Sequence, residues 1–373
     1  MKPYVAINAS ALVKKNKTGV EWYTSQLLKY LAREWQESDP PVVLFVPQKP
    51  KNTASIMNKN WRIKILPGKF FWTQYHLLRF LKRYPPLTLF SPSYVAPLFL
   101  PPKISTINVV HGLEGEHFPE FRTLKQIVTD HYLTIPAIKK SSLVIAVSEH
   151  TRHDLFYFYH LPPKKIKTVL SGPGTLADNK IGCSLVRKKD KVTKFLFLGG
   201  SNERKNLKLA LRIFFLLKRK FKNIHLTVTG KINPPIENII KEKNITFLGY
   251  ISEAEKKKQL KNAHFLLYSS FYEGFGFPVL EAQASGTVPI TLKGSSLEEV
   301  GGDGIVKYDP RQEKKFLSLI VSLVKDQKKY SQMQKKGLKN IQRFSWQTCA
   351  KEIKKVLVNF DYYVTRNSFR KKY

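Results

Sequence analysis

YSSFYEGFGFPVLEAQASGTVPI, residues 268–290, runs from a short apolar stretch through a glycine-rich turn into a segment with helical spacing. The stretch Phe265–Tyr268 reads as a buried strand, and Ser269–Phe277 reads as the loop that leaves it. Gly274 and Gly276 let the backbone approach a ligand closely. Pro278 suits the first helical position, where its missing N–H costs nothing. A loop feeding a helix N-terminus in this way is a seat for phosphate. Glu273 is placed at the strand end and Glu281 in the first turn of the helix, with seven residues between them. The two acids are therefore expected to bracket one anion-binding loop. Two glutamates at this spacing are a weak signal, and Glu281 alone could serve its helix dipole. The glycines, the proline and both acids together fit one pocket.

Working outward, a second motif lies upstream. Gly199-Gly200-Ser201-Asn202-Glu203-Arg204-Lys205-Asn206 joins the apolar run Phe195–Leu198 to a helical segment, about Asn206–Arg219. The amides of such a turn can cradle a diphosphate, and Arg204 and Lys205 can neutralise it. By itself the motif reads equally as a glycine turn carrying solvated charges. Strands are expected at Ile224–Thr229 and Ile245–Leu248, with Gly249-Tyr250 after the latter. In the first half, strands are expected at Tyr4–Asn8, Pro41–Pro47, Ile104–Val110 and Leu143–Val147, and a helix at Glu21–Trp35. Strand–helix alternation with β-branched strands argues for parallel sheets covered on both faces. Gly172-Pro173-Gly174 breaks the pattern, and the polar segment to about Asp190 reads as a linker. The expected organisation is a first Rossmann-like domain over 1–175 and a second over 176–345. A terminal helix and basic tail occupy 346–373, with the tail from Arg366 frayed.

Composition narrows the class. A chain of 373 residues exceeds one ordinary core and suits two domains. No apolar run approaches the roughly 20 residues of a membrane span, since Pro92 and Pro97 break the greasiest stretch. The N-terminus lacks the apolar core and cleavage site of a signal peptide. Cys183 and Cys349 show no metal or disulfide spacing, so a reducing, cytoplasmic compartment is the expectation. The net charge is +37, and both halves share it. A lysine-rich solvated surface, attraction to an anionic membrane and nucleic-acid binding all fit that charge. Nucleic acid ranks last, because no zinc-finger, zipper or RNA-binding motif is present.

The strings EGFGFPVLEA (273–282), ASGTVPI (284–290) and SSLEEVGGDG (295–304), in this order, resemble the retaining glycosyltransferases of family four. The resemblance implies the GT-B fold, two Rossmann-like domains facing each other across a cleft, with a C-terminal helix, here Trp346–Phe360, crossing back to the first domain. It implies that Glu273 contacts the donor sugar and Glu281 the nucleotide ribose. Gly274, Phe275, Gly276 and Phe277 line the same donor loop, with Gly249 and Tyr250 near the base. Gly199, Gly200, Arg204 and Lys205 fall where the family grips the diphosphate. Many members carry arginine directly after the first glycine; Gly200 stands there in this chain, so Arg204 must supply the guanidinium. Thr18-Gly19-Val20 resembles the glycine loop that closes over the donor phosphates. FWTQYHLL (70–77) and LFSPSYVAPLFLP (89–101) look like the mannosyltransferase branch. His111 matches a strand-end His-Asp pair, as a donor-sugar contact, but Gly112 replaces the Asp.

The implied reaction is transfer of a hexose, mannose by preference, from a nucleotide-diphosphate sugar (GDP-mannose or a UDP-sugar) to a glycan or lipid-linked acceptor, with retention. Glu273, His111, Arg204 and Lys205 are the expected catalytic set. None of the nine aspartates forms an Asp-x-Asp pair, so neither a catalytic metal nor another cofactor is expected. The dinucleotide fingerprint and the P-loop are both absent. The competing reading is an inactive nucleotide-sugar or membrane-surface binding protein of the same fold, to which the missing acid at Gly112 lends support. Family members often build glycans on lipid-linked acceptors at the inner face of the membrane. The first 175 residues carry 24 basic against 10 acidic side chains. With Phe70, Phe71, Trp72 and Tyr75 they could hold the protein at an anionic interface.

Overall fold

A computed structural model describes residues 3–14, 18–51, 53–93, 96–174, 192–233 and 242–359. The chain forms two compact units, Met1–Gly172 with Ser345–Tyr373, and Pro173–Phe344. The linker placed after Gly174 falls largely in 175–191, and the basic tail in 360–373, both outside the described residues.

In the first unit the strands are β1 (Val5–Asn8), β2 (Val42–Val46), β3 (Trp61–Ile65), β4 (Thr88–Ser91), β5 (Ser105–Val110), β6 (Leu143–Ala146) and β7 (Ile166–Thr168). They lie in the order β3-β2-β1-β4-β5-β6-β7, every described pairing parallel. β1, β4 and β6 are buried along their whole lengths, as expected for strands covered on both faces. The helix Gly19–Glu34 starts two residues earlier than its apolar spacing suggests. The cause is a capping box: the Thr18 amide donates to the Glu21 carboxylate at 2.9 Å. Tyr23, Leu27, Leu28 and Leu31 then form its buried stripe.

The helix Trp346–Val358 belongs to this unit and packs along Gly19–Glu34. The Trp346 indole meets Trp22 and Tyr23 edge-on, each at 5.4 Å between ring centroids. Lys354 closes the far end, with its ammonium 2.6 Å from Asp39 and donating to the Glu34 carbonyl at 2.8 Å. This is the crossing-back helix that the sequence leads one to expect.

The second unit holds β8 (Thr193–Leu198), β9 (Ile224–Thr229), β10 (Ile245–Phe247), β11 (Phe265–Tyr268), β12 (Val288–Leu292) and β13 (Val306–Tyr308). Their order is β10-β9-β8-β11-β12-β13, again parallel throughout. The two sheets therefore share the doubly wound order, in which the direction of strand addition reverses beside the first strand. In the second unit that point lies between β8 and β11. Ligands of such sheets bind outside the carboxyl ends of the strands at this switch point. Both glycine loops singled out in the sequence leave those two strands there.

Trp346 is buried and makes two ring contacts between the terminal helix and the helix Gly19–Glu34. Trp346→Ala is expected to cost about 3–5 kcal/mol, read as a lower urea midpoint by circular dichroism. Tyr250→Ala, at a side chain 85% exposed, is expected to change it by less than about 0.5 kcal/mol.

Candidate active site

The turn after β8 is fixed by its neighbour. Gly200 has φ +60, and a Cβ there would sit 2.3 Å from the Lys231 carbonyl oxygen. The amides of Gly199 and Gly200 donate to the Thr229 carbonyl at 3.3 and 2.8 Å, and Ser201 donates to Lys231 at 2.9 Å. This corrects the expectation that the two glycine amides cradle a phosphate: they are engaged in bolting the turn to the end of β9. What the glycines supply is close approach. A Cβ at Gly199 would lie 2.6 Å from Lys205 Cγ, so the missing side chain leaves room for the lysine stem.

The same turn then aims two cations. The Asn202 side chain accepts from the Arg204 amide at 3.1 Å, starting the short helical turn Glu203–Lys205. Asn206, with φ +56, ends it and caps the helix Leu207–Lys218 through the Leu209 amide. Arg204 and Lys205 are thereby directed at the loop after β11. That loop clasps them in return. Ser269 Oγ donates to the Asn206 carbonyl at 2.9 Å, and the Phe271 amide to the Arg204 carbonyl at 2.9 Å.

Glu273 is the centre of the arrangement. Its Oε1 lies 2.5 Å from Lys205 Nζ and 2.8 Å from Arg204 Nη1. It also accepts from Ser270 Oγ at 2.7 Å and Tyr268 Oη at 2.9 Å. Tyr268 in turn accepts from Lys205 at 2.7 Å. Burial by itself would raise the Glu273 carboxyl, but Lys205, Arg204 and the hydrogen bonds from Lys205 and Ser270 outweigh it and hold the group down to about 2. Burial pushes the Tyr268 hydroxyl well above its ordinary range, with Glu273 adding to the effect. Two cations face one carboxylate, so the cluster carries a formal charge of +1 at the switch point.

The loop continues into the helix Phe277–Ala284, with Gly276 at its N-cap. Gly276 has φ +100, and a Cβ there would strike Leu297 Cδ2 at 2.4 Å. Two expectations shift here. Pro278 is the second helical residue, and Glu281 lies beyond the first turn, because the helix begins at Phe277. Glu281 is 3% exposed and faces Lys256, whose Nζ is 3.0 and 3.1 Å from its two oxygens. A Cβ on Gly174 would lie 2.2 Å from Glu281 Oε1, so backbone passes directly over this carboxylate. Burial lowers the Lys256 ammonium, but Glu281 and Glu253 more than reverse that and raise it. Phe275, expected to line the donor loop, is buried against Phe277 and Phe344 at 5.0 and 5.8 Å. Its ring is engaged in packing. Gly274 is buried beside it, and Ser296 Oγ donates to the Glu273 carbonyl at 2.5 Å, locking the loop from below.

Gly249 and Tyr250 sit one strand further out. The Gly249 carbonyl accepts from the Gly230 amide at 2.6 Å, and Gly230 packs on Gly200. Tyr250 is exposed.

In the first unit, Gly19 is the first residue of its helix, while residues 15–17 of the loop before it lie outside the described residues. Glu21 is buried there and pairs with Lys14 at 2.8 Å. His111 directly follows β5, and Gly112 comes next with φ +139. The His111 Nε2–H donates to the Pro92 carbonyl at 2.8 Å, and its ring meets Tyr23 edge-on at 4.7 Å. Burial lowers the imidazole to about 4, against the opposing pull of Pro92 and Glu21. His111 is therefore neutral near pH 7, with Nδ1 as an acceptor.

Sequence reasoning missed Tyr268, Ser270 and Lys256. The first two stand inside the quoted string and could have been taken as donors to a buried carboxylate. Lys256 is one of three consecutive lysines, 256–258. Only the partner across the fold distinguishes it.

The family described as "Glycosyl transferases group 1" matches residues 185–340, which include the turn after β8, Lys256 and the Glu273–Glu281 loop and helix. O-antigen chain mannosyltransferase B of Escherichia coli is 23% identical over 370 residues, covering 92% of this chain and 96% of that protein. O-antigen chain mannosyltransferase RfbU of Salmonella typhimurium is 26% identical over 222 residues, 57% of this chain and 59% of that one. Among solved structures, the sucrose-phosphate synthase of Thermosynechococcus elongatus superposes with a TM-score of 0.70 at 16% identity, covering 97% of this chain and all of its own. Two doubly wound parallel sheets and the structural likenesses give the chain the GT-B fold, its residues 185–340 carry the match to the group 1 glycosyl transferases, and with the loop sequence after β11 these findings agree on a glycosyltransferase enzyme.

Proposed function

We propose that the enzyme transfers mannose from a nucleotide-diphosphate sugar, GDP-mannose in the first instance, to a glycan or lipid-linked acceptor, with retention of anomeric configuration. The observation that carries the reading is the +1 cluster of Arg204, Lys205 and Glu273 at the switch point of the second sheet. The choice of mannose rests on the two O-antigen mannosyltransferases that this chain resembles.

In the reaction the bond between the anomeric carbon and the diphosphate oxygen breaks. The sugar gains oxocarbenium character and negative charge grows on the leaving diphosphate. Donors already aimed at that charge are usually the largest catalytic contribution. Arg204 and Lys205 are held in place by Glu273, so no reorganisation is needed when the charge appears. All four side-chain contacts described for Glu273 reach Oε1; Oε2 is then the oxygen that would accept from a sugar hydroxyl. Retention follows from attack on the face the diphosphate leaves, with the departing phosphate taking the acceptor proton. Glu273 is not required as a nucleophile. Glu281 would accept from the ribose hydroxyls, with Lys256 paired to it and fixing its orientation. Neutral His111 would accept from a hydroxyl of the donor sugar.

Glu273→Gln removes the charge that orients both cations. With GDP-mannose as donor, kcat is expected to fall by at least ~100-fold. Glu281→Gln is expected instead to weaken GDP binding by calorimetry. Unchanged kinetics and affinity in both variants would remove the pocket assignment.

The acceptor side is read from the first unit. Phe70 and Phe71 are 84% and 73% exposed, Tyr75 is exposed as well, and Trp72 and Leu77 anchor the segment in the core. No helix among the described residues is long and apolar enough to cross a membrane. Exposed aromatics on a basic chain suit reversible attachment to an anionic lipid surface, at about 1 kcal/mol per nearby Lys or Arg. Flotation with phosphatidylglycerol vesicles is expected to carry the protein at low salt, and to lose it at high salt or in a Phe70→Ala, Phe71→Ala variant. Absence of flotation at low salt, together with full activity on a water-soluble acceptor, would point to a soluble acceptor.

A further inference from the structure

A second group of chemistry-bearing side chains lies just past His111, in the first unit. The short helix Glu114–His117 ends with His117, whose Nε2 is 2.9 Å from Asp154 Oδ1. Asp154 stands on the helix Glu149–Tyr159. One turn earlier on that helix, His150 brings its Nε2 to 3.8 Å from Asp154 Oδ2. The i, i+4 spacing puts His150 and Asp154 on one helix face. The two imidazoles stack, 6.0 Å between centroids and 20° between planes. The donor atoms of all three residues lie within 4.8 Å of one another.

A buried carboxylate needs a hydrogen-bond partner, and one histidine meets that need. Here a second imidazole stands 3.8 Å from the other carboxylate oxygen, beyond hydrogen-bond reach, so it serves no need that burial of Asp154 creates. Two imidazoles and a carboxylate are a donor set for a borderline divalent ion, zinc above all, with water as a fourth ligand. Tetrahedral zinc at about 2.0–2.2 Å from each donor needs donors roughly 3.4 Å apart. The widest separation would close by a little over an ångström, within reach of small side-chain rotations. Asp154 is 8% exposed at its side chain, while His117 and His150 are 30% and 27% exposed. The carboxylate is thus the floor of the cluster and the imidazoles its mouth, open to an entering ion. The net charge of +37 opposes any cation, but salt screens it beyond about 8–10 Å, while the carboxylate acts at contact.

We propose that His117, His150 and Asp154 form a zinc site that pins the segment following β5 to the helix Glu149–Tyr159. Its place is six residues beyond His111, so its effect is on the position of the strand end that carries that imidazole. It takes no part in the departure of the diphosphate.

The test is calorimetric titration of metal-stripped full-length protein with Zn²⁺, and with Co²⁺ followed by its visible spectrum. Wild type is expected to bind about one equivalent of zinc, with a rise in melting temperature, and to give the intense absorption of tetrahedral cobalt. Outer partners of metal ligands are worth 10–100-fold in affinity. His117→Ala and His150→Ala, each a ligand, are therefore expected to weaken zinc binding by more than ~10-fold, with circular dichroism unchanged. His153→Ala, on the same helix outside the cluster, is expected to leave it intact. Equal zinc binding in all three variants, or a weak octahedral cobalt spectrum in the wild type, would overturn the site.

Discussion

Glu273 ties the ends of β8 and β11 together through Lys205 and Arg204, and the loops at the switch point of the second sheet are organised around that contact. A buried carboxylate without partners would cost several kcal/mol, and removing one member of such a pair costs about 3–5 kcal/mol. Here the carboxylate has two cations and two hydroxyls, and its acid strength records how well it is held. An ordinary glutamate titrates near 4.5, and this one near 2. The difference is on the order of 3 kcal/mol of folding stability. Because the folded value is the lower one, that contribution is complete above about pH 4.5 and is lost as pH falls toward 2. The two cations are thus oriented by the protein itself.

Backbone geometry makes the contact possible. Gly199 leaves space for the Lys205 stem, and Gly200 lets the turn lie against the carbonyl of Lys231. Gly276 adopts a positive φ where a Cβ would collide with Leu297, and so starts the helix that carries Glu281. These glycines act through close approach. Their amides at 199 and 200 face the Thr229 carbonyl, so the positive potential of the site comes chiefly from side chains.

The fold was legible because strand periodicity is local. Phe195–Leu198, Ile224–Thr229 and Phe265–Tyr268 are short apolar runs bounded by glycine or serine, and they form β8, β9 and β11 within two residues of the expected limits. Helix starts were less legible, because capping depends on side chains outside the apolar pattern. Thr18 with Glu21 draws one helix start forward, and Gly276 sets another one residue before Pro278. The loop after β11 announced Glu273 as a site residue, yet its partners were hidden. Arg204 and Lys205 are nearly 70 residues away in sequence, and nothing in one sequence pairs them with Glu273 over any other acid. The likeness of Lys256 to Lys257 and Lys258 hid the partner of Glu281 for the same reason. Phe275 reads as a ligand contact in the string and is a core residue in the fold.

The whole arrangement turns on an ionised Glu273 clamped by Arg204 and Lys205 at the switch point of the second sheet. A carbon-detected NMR titration of the Glu273 carboxyl, with and without Lys205→Met, reads it directly. The account requires a midpoint near 2 in the wild type, rising toward the ordinary carboxylate range once Lys205 is removed. A wild-type midpoint near 4.5, unmoved by the substitution, would contradict it.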